Sequence, residues 1–139
     1  MLSCLLLNLQ QDFVSFKPEL FRSEINNEHL IVELVFQVAP GYHIQAEDRV
    51  PENIIPTSIS FDGSADIKIL QHKFQVENYD EVILGDISHK VINGQFSVLV
   101  HLKEKPKSKD PILTGELYYQ ACDDRKCFYP RKLKFKFSP

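Results

Sequence analysis

The chain has 139 residues, of which 43% are hydrophobic and 25% are charged, and its formal net charge is −3 at pH 7. A chain of this length forms one domain that can bury a core without needing disulfides to fold. Its slightly acidic balance provides no basic field to collect phosphates, which argues against nucleic-acid binding. With no tryptophan and a single methionine, it also lacks a Met-rich surface for copper or peptides.

The N-terminal segment is apolar and carries the first of the three cysteines, Cys4. The apolar run at residues 1–7 is far too short to cross a bilayer. Two interpretations stay open: the end of an export signal or an acylation site, or an apolar segment that packs on the domain. We therefore treat residues 1–12 as a candidate signal or anchor remnant and residues 13–139 as the folded domain.

Alternating hydrophobicity with a period of two dominates the rest of the chain. Apolar residues occupy every second position in 30–38 and in 96–102, and again at Ile67 and Ile69, as expected of half-buried strands. In 133–137 the apolar positions alternate with lysines, which predicts an antiparallel strand with one face in water. The lysine row would also protect an exposed sheet edge from pairing with another chain.

Turn signals separate these apolar runs. They are Pro40-Gly41, Asp62-Gly63, Asn93-Gly94 and residues 106–111. Asn-Gly is a strong hairpin signal, so we expect the strands on either side of residues 93–94 to pair with each other. A single helical turn at 48–53 is the most helix that the pattern supports.

The fold class follows from the number of strands and the absence of long helical stripes. Seven to nine short strands with turns between them predict an all-β, antiparallel, immunoglobulin-like β-sandwich. The widely separated Cys…Trp…Cys signature of antibody domains is missing, so the prediction concerns the architecture only.

The most informative motif is a pair of cysteines near the C-terminus, Cys122 and Cys127, separated by four polar residues. This spacing suits a disulfide across the neck of a tight hairpin, because opposed strand residues hold their Cα atoms close together. The pair is either a structural staple or a redox centre, and the spacing alone leaves both interpretations open.

The residues around the pair bear on its reactivity. Arg125 and Lys126 would favour a thiolate, whereas Asp123 and Asp124 would oppose it. No helix begins at the motif to lower a thiol pKa, unlike a Cys-x-x-Cys motif. If the pair is redox-active, it suits a passive relay that a more reactive thiol attacks.

Other chemistry has less support. A structural zinc site needs four ligands, usually in closely spaced Cys or His pairs, and the five histidines lack that spacing, so we predict no metal and no cofactor. The histidines, each expected to be a surface or strand residue, are His29, His43, His72, His89 and His101. Neighbouring carboxylates occur at 47–48, 80–81 and 123–124, where solvated loops are the simpler interpretation than a glycosidase pair across a cleft.

Two runs around the cysteines resemble one known family, Tyr119-Gln120-Ala121-Cys122 and Cys127-Phe128-Tyr129-Pro130. They are similar to the redox hairpin of the periplasmic N-terminal domain of the thiol:disulfide interchange protein DsbD, also described as a disulfide bond corrector (DsbC-type) domain. The turn Ala39-Pro40-Gly41-Tyr42-His43-Ile44 resembles the family's Pro-Gly-Trp/Tyr-His-Ile turn after a long early strand. The resemblance covers residues 13–137.

The resemblance implies an immunoglobulin-like domain whose catalytic pair, Cys122 and Cys127, cycles between dithiol and disulfide. Such a domain receives electrons from a thioredoxin-like donor domain and passes them to thioredoxin-fold clients, including disulfide isomerases and cytochrome maturation factors. It acts without a cofactor, as part of a protein-disulfide reductase system. The family location is periplasmic or otherwise extracytoplasmic, often within a larger membrane protein. The second cysteine, here Cys127, forms the mixed disulfide in better-known members.

The family also shields its cysteines with a cap loop bearing an Asp-Glu-Phe-like run before a glycine. The nearest match is Asp80-Glu81-Val82, with Val82 in place of the aromatic residue. Further candidates for the cap or the lining of the site are Tyr42, Phe74, Tyr79, Tyr119 and Phe128. For Tyr42, a place on the sandwich rim is the alternative. The best-known members have five residues between the cysteines, one more than this chain.

The chief alternative function is a non-catalytic immunoglobulin-like binding module whose disulfide is structural. The two hypotheses differ in redox potential, since a structural disulfide resists reduction by donors that equilibrate with a relay.

Overall fold

The computed structural model describes residues 12–27, 29–62, 67–103, 106–107, 109 and 111–139. The segment 1–11 with Cys4 lies outside these residues, as does Gly63 of one predicted turn. The assignment of residues 1–12 as a signal or anchor remnant therefore stays a prediction.

The described residues form twelve strands and one 3-10 helix, Pro18–Leu20. The strands are β1 (Val14–Phe16), β2 (Arg22–Asn26), β3 (His29–Val38), β4 (His43–Gln45), β5 (Ser58–Phe61), β6 (Ile69–Gln75), β7 (Asp80–Leu84), β8 (Ile87–Ile92), β9 (Gln95–Leu102), β10 (Leu113–Tyr119), β11 (Ala121–Cys122) and β12 (Arg131–Phe137). Nine of them have four or more residues, in line with the predicted seven to nine, and β1, β4 and β11 are shorter additions.

Helical structure is minimal, as the sequence predicts. Residues 48–53 form bends and a turn, which closes with a hydrogen bond from Ile54 N to Pro51 O at 3.2 Å. In the part of the chain that the structure describes, a helix long and apolar enough to cross a membrane is not found.

All strand pairs are antiparallel and fall into three sheets. The main sheet has the order β1-β3-β9-β6, with β2 also paired to β3. The opposing sheet has the order β12-β10-β5, and the site sheet has the order β11-β4-β8-β7. The architecture is the predicted all-β, immunoglobulin-like sandwich.

The core lies between the inward faces of the sheets. Alternate residues of β3 and β9 are buried, because successive strand side chains point to opposite faces. Aromatic rings join the two large sheets: the centroids of Phe36 on β3 and Phe135 on β12 lie 5.3 Å apart in an edge-to-face arrangement. On β12, the lysines at 132, 134 and 136 are exposed, whereas Phe135 and Phe137 are buried. β12 is also an edge strand, which confirms the prediction for 133–137.

One predicted pairing is wrong. Asn93-Gly94 does form a turn, with Gly94 at a φ of 69°, but β8 and β9 on either side belong to different sheets. The chain uses the turn to cross from the site sheet to the main sheet, since the ladder of β9 with β3 has eight residue pairs, more than the six residues of β8 could form. The hairpin lies one turn earlier, where Gly85 (φ 64°) begins a two-residue connection between β7 and β8, and Leu84 pairs with Ile87.

The cysteine hairpin is the connection between β10 and β12. These strands pair along their whole length, up to Tyr119 opposite Arg131. The intervening residues leave the opposing sheet, and β11 joins the edge of the site sheet by pairing with β4. The early turn after β3 and the late cysteine motif therefore meet in one sheet.

Candidate active site

Cys122 and Cys127 form a disulfide, with Cα atoms 3.9 Å apart. They face each other as an antiparallel bridge, and the main-chain hydrogen bonds lie on either side of the pair instead of between its members. The cysteines thus occupy a non-hydrogen-bonded position, where opposed strand residues come closest. This confirms the predicted disulfide across the hairpin neck. The flanking bonds run from Asp123 N to Lys126 O (2.9 Å) and from Phe128 N to Ala121 O (2.8 Å).

The loop between the cysteines is held by its first residue. Asp123 Oδ1 accepts hydrogen bonds from the main-chain N–H groups of Arg125 and Lys126, each at 2.8 Å. These two bonds lower the pKa of the Asp123 carboxyl group, with a smaller contribution from the two positive side chains. A local carboxylate cap of this kind fixes a tight turn without core contacts.

The two cysteines differ in exposure. Cys122 lies on β11, where it pairs with His43 of β4, and only 2% of its surface is exposed. Cys127 follows the loop and is exposed. Disulfide exchange needs in-line access to the attacked sulfur, and Cys127 is the more accessible residue of the pair.

A groove of about 510 Å³ runs between the cysteine hairpin and the β7–β8 hairpin. The alternation of side chains along the site sheet decides which residues line the groove. Ile44 and Ile92 are fully buried against the core, so the neighbouring positions of β4 and β8 lie on the opposite face, toward the groove. Side chains that line the groove include His43, Gln45, Val82, Leu84, His89 and Cys127.

The Gln45 side chain contacts both the Cys122 sulfur and the buried His89 ring. Its side chain is 1% exposed, its Nε2 lies 3.2 Å from Cys122 Sγ, and its Oε1 lies 2.9 Å from His89 Nε2. The main-chain oxygen of Gln45 accepts a hydrogen bond from Thr57 Oγ1 at 2.5 Å. Both ends of this residue are therefore fixed.

Two histidines face the site, and burial lowers the pKa of both. For His89, which is 7% exposed, burial is the cause of the lowered pKa. For His43, burial comes first and the nearby His89 second, while Asp123 and Asp80 act in the opposite direction. A lowered pKa favours the neutral form of both rings. No group of three or more candidate ligands is arranged to hold a metal ion within the described ranges.

The segment matched to the family's cap loop is a strand here. Asp80, Glu81 and Val82 begin β7, and Glu81 and Val82 line the groove. Val82 pairs with His89 across the β7–β8 ladder. Asp80 instead lines a neighbouring depression of about 680 Å³ and accepts a hydrogen bond from the Asn93 side chain.

The two aromatic candidates for a lid lie elsewhere. Tyr79 donates its hydroxyl proton to the Glu47 carboxylate, whose oxygens both lie at 2.8 Å. Burial and this carboxylate raise the pKa of Tyr79 far above its usual range. Phe74 stacks on Phe96 with ring centroids 6.3 Å apart. Neither side chain lines the groove at the cysteines.

Three other aromatic candidates support the hairpin from behind. Phe128 packs on Phe13 with centroids 4.8 Å apart, and Tyr42 packs on the same ring at 4.8 Å and on Phe128 at 6.0 Å. Tyr119 is 2% exposed on β10, and burial raises its pKa. These rings anchor the hairpin to the core rather than cover its sulfurs.

Sequence reasoning missed Gln45, His43 and His89 as site residues. Gln45 and His43 lie on one face of β4, and alternation along a short strand could have shown that they share a side. Nothing in the local pattern indicates that β8 brings His89 to them, since that depends on the register of β4 with β8.

No family model matches the chain, and no curated protein matches it. Among solved structures, the N-terminal periplasmic domain of ScsB from Proteus mirabilis is similar, with a TM-score of 0.60 and 14% identity over 91% of this chain and 47% of that one. The chain therefore spans about half the length of that ScsB structure.

Two structures from Neisseria meningitidis are also similar. One is the complex between the DsbD N-terminal and PilB N-terminal domains, with a TM-score of 0.51 and 14% identity over 93% of this chain and 87% of that one. The chain has the fold of the DsbD N-terminal domain. The reduced DsbD N-terminal domain matches with a TM-score of 0.47 and 17% identity over 86% of this chain and 83% of that one. The DsbD-like fold suspected from the two sequence motifs is confirmed.

Proposed function

We propose that this domain is a thiol-disulfide exchange relay, in which the Cys122–Cys127 pair alternates between disulfide and dithiol. The observation that carries the proposal is the unequal exposure of the two cysteines, with Cys122 only 2% exposed and Cys127 exposed beside a groove. A purely structural disulfide gains nothing from presenting one sulfur at an open groove. The DsbD-like fold supports the same chemistry.

Reduction of the domain would take two exchanges. A donor thiolate attacks Cys127 Sγ, the bond to Cys122 breaks, and the electron pair leaves on Cys122 Sγ as a thiolate. The second donor thiolate then attacks the donor sulfur of the mixed disulfide, which releases Cys127 and leaves the donor oxidised. The domain gains two electrons and, at neutral pH, the protons that its thiols take up from water.

Delivery of the electrons runs in reverse. The Cys127 thiolate attacks a client disulfide and forms a mixed disulfide, and Cys122 then attacks Cys127 Sγ to release the reduced client. We propose a thioredoxin-like donor domain and thioredoxin-fold clients, because the similar DsbD domain was solved in complex with the PilB N-terminal domain. An extracytoplasmic location, within or beside a membrane protein, suits a domain whose disulfide must persist between turnovers.

The equilibrium reduction potential of the hairpin pair tests the proposal. We would titrate the Cys4→Ser variant against glutathione and against a thioredoxin, reading the redox state by thiol alkylation so that only the hairpin responds. We expect a value in the range of exchanging proteins, roughly −180 to −270 mV. A value below about −300 mV would mark a structural disulfide and leave the binding-module alternative.

A further inference from the structure

We propose that the Gln45 side-chain amide, oriented by His89, stabilises the thiolate that Cys122 becomes when a partner attacks Cys127. Gln45 would act directly on a reacting sulfur, and His89 would be a positioning residue that acts through it. The inference deepens the proposed exchange function and rests on it for its biological meaning. Its physical content, the acidity of Cys122, can be measured separately.

The orientation of the amide follows from the chemistry of its neighbours. The sulfur of a disulfide carries no proton, so the group at 3.2 Å from Cys122 Sγ must be the N–H end of Gln45. The carbonyl end then faces His89 Nε2 at 2.9 Å, and His89 must donate through Nε2. The three residues form a directed chain of hydrogen bonds that ends on Cys122.

The state of His89 agrees with this direction. Its Nδ1 is buried and has no hydrogen-bond partner among the described residues. A buried polar atom without a partner is rare and requires an explanation. In the neutral ring with the proton on Nε2, Nδ1 is a bare acceptor, and the ring keeps its donor for Gln45. His89 thus hydrogen-bonds Gln45 through Nε2 and leaves Nδ1 without a partner among the described residues.

Gln45 is also held at its backbone. Thr57, which is 1% exposed, donates its hydroxyl to the Gln45 main-chain oxygen, and Thr57 N donates to Ala46 O at 3.1 Å. β4 is thereby fixed between β8 and the Thr57 segment. A donor fixed before the reaction needs no reorganisation when charge develops on the sulfur.

Reduction changes what the amide contacts. In the disulfide, Cys122 Sγ is a weak, uncharged acceptor. Once the partner bonds to Cys127, the electron pair of the broken bond stays on Cys122 Sγ, and the same N–H donates to a full negative charge. Hydrogen bonds to charged acceptors are about twice as strong as neutral ones. The contact therefore favours the thiolate over the disulfide, which makes Cys122 the better leaving group.

The acidity of Cys122 provides the test. In a Cys4→Ser, Cys127→Ser background only Cys122 remains, and its thiolate can be followed by ultraviolet absorbance against pH, corrected with the cysteine-free chain. We expect Gln45→Met, which preserves length but lacks the donor, to lower the acid dissociation constant of Cys122 about tenfold. His89→Phe should change it in the same direction and by less.

A matched control separates this contact from general loosening of the hairpin. Gln120 supports the same hairpin through two hydrogen bonds to main-chain groups: its Oε1 accepts from Ile55 N at 2.8 Å and its Nε2 donates to Phe128 O at 3.2 Å. Gln120→Met should leave the acidity of Cys122 unchanged. An equal change in both variants, or none in Gln45→Met, would overturn the proposal.

A second variant and a reduction rate provide two further tests of the Gln45 contact. If Gln45→Met does not fold, as judged by circular dichroism, Gln45→Asn withdraws the amide by one carbon and should shift the acidity in the same direction; an unchanged acidity there also overturns the proposal. In the intact disulfide, the rate of reduction by glutathione should fall with Gln45→Met. A hairpin potential in the structural range would refute the relay while leaving the Gln45 contact to be judged by Cys122 acidity.

Discussion

At the residue scale, two cysteines five positions apart have opposite surroundings. Cys122 is enclosed by β4 and contacted by the amide of Gln45, whereas Cys127 is exposed at the end of a loop. On the proposed function, Cys127 is the sulfur that is attacked and Cys122 the sulfur that leaves, since access decides the first and stabilisation of the thiolate decides the second.

The unequal exposure of the two cysteines predicts which serine variant traps a partner. In Cys122→Ser, Cys127 can form a mixed disulfide that no second cysteine of the hairpin resolves, so the adduct with a thioredoxin-fold protein should accumulate. In Cys127→Ser the buried Cys122 should form little or no adduct. Non-reducing electrophoresis and mass spectrometry of the linked peptides would show both, and equal trapping by the two variants would contradict the asymmetry.

Both serine variants should remain folded. Closing so short a loop contributes only about 2 to 3 kcal/mol in the chain-entropy model, and most residues of the core lie on strands of the two large sheets. Circular dichroism and thermal unfolding provide this control. An unfolded Cys127→Ser chain at room temperature would instead indicate a structural staple.

At the element scale, the β7–β8 hairpin forms the wall of the groove opposite the cysteines. It carries large apolar side chains that remain in water: Ile83 is 75% exposed, Ile87 is 55% exposed and Leu84 is 44% exposed. Apolar side chains beside an accessible disulfide suit the docking of a protein thiol. On the proposed function, these residues are contacted by the thioredoxin-like partner.

Removing one of these side chains should slow exchange with protein thiols but not with small thiols. Ile83→Ser should slow exchange with a thioredoxin-like protein roughly three- to tenfold, because burying part of an isoleucine contributes about 1 kcal/mol. Reduction by dithiothreitol should be unchanged, as measured by stopped-flow or alkylation kinetics.

The matched control is Ile25→Ser. Ile25 is also exposed, at 68%, but it pairs with Leu30 near the start of β3, and β4 follows the other end of that strand. Exchange with both kinds of thiol should match the parent. A loss of protein exchange with Ile25→Ser, or none with Ile83→Ser, would argue against docking at the β7–β8 hairpin.

At the scale of the whole molecule, the opposing sheet, with the order β12-β10-β5, is closely packed at its central strand. Gly115 on β10 is a point of tight approach, because a Cβ there would lie 2.7 Å from Phe135 Cζ and 2.8 Å from the Ser60 main-chain oxygen. One of these neighbours is main chain and the other is a buried ring, so neither can move freely.

Gly115→Ala should therefore destabilise the fold by about 1 to 3 kcal/mol through overpacking. Glu116→Ala on the same strand should stay within about 0.5 kcal/mol of the parent. Chemical denaturation would measure both. The hairpin potential should not change in the folded variant, since Cys122 lies on β11 of the site sheet and Gly115 on β10 of the opposing sheet; no destabilisation, or a shifted potential, would contradict this separation of core and site.

The sequence by itself determined the strand class, the lysine-protected edge at β12, the Pro40-Gly41 turn and the disulfide. Each depends on neighbours in the chain: alternation decides which face is buried, and a short spacing decides whether two cysteines can meet across a hairpin. The turn at Gly41 shows the same principle, since its φ of 86° is one that glycine adopts without strain.

Only the tertiary structure decided what surrounds the sulfurs. Asn93-Gly94 carries a hairpin signal, yet β9 forms a longer ladder with β3, and β8 and β9 lie in separate sheets. That choice brings His89 beside Gln45 and Gln45 beside Cys122, across sequence separations of 44 and 77 residues. Such contacts depend on the register between strands distant in the chain, and register is set by how all the apolar faces pack together.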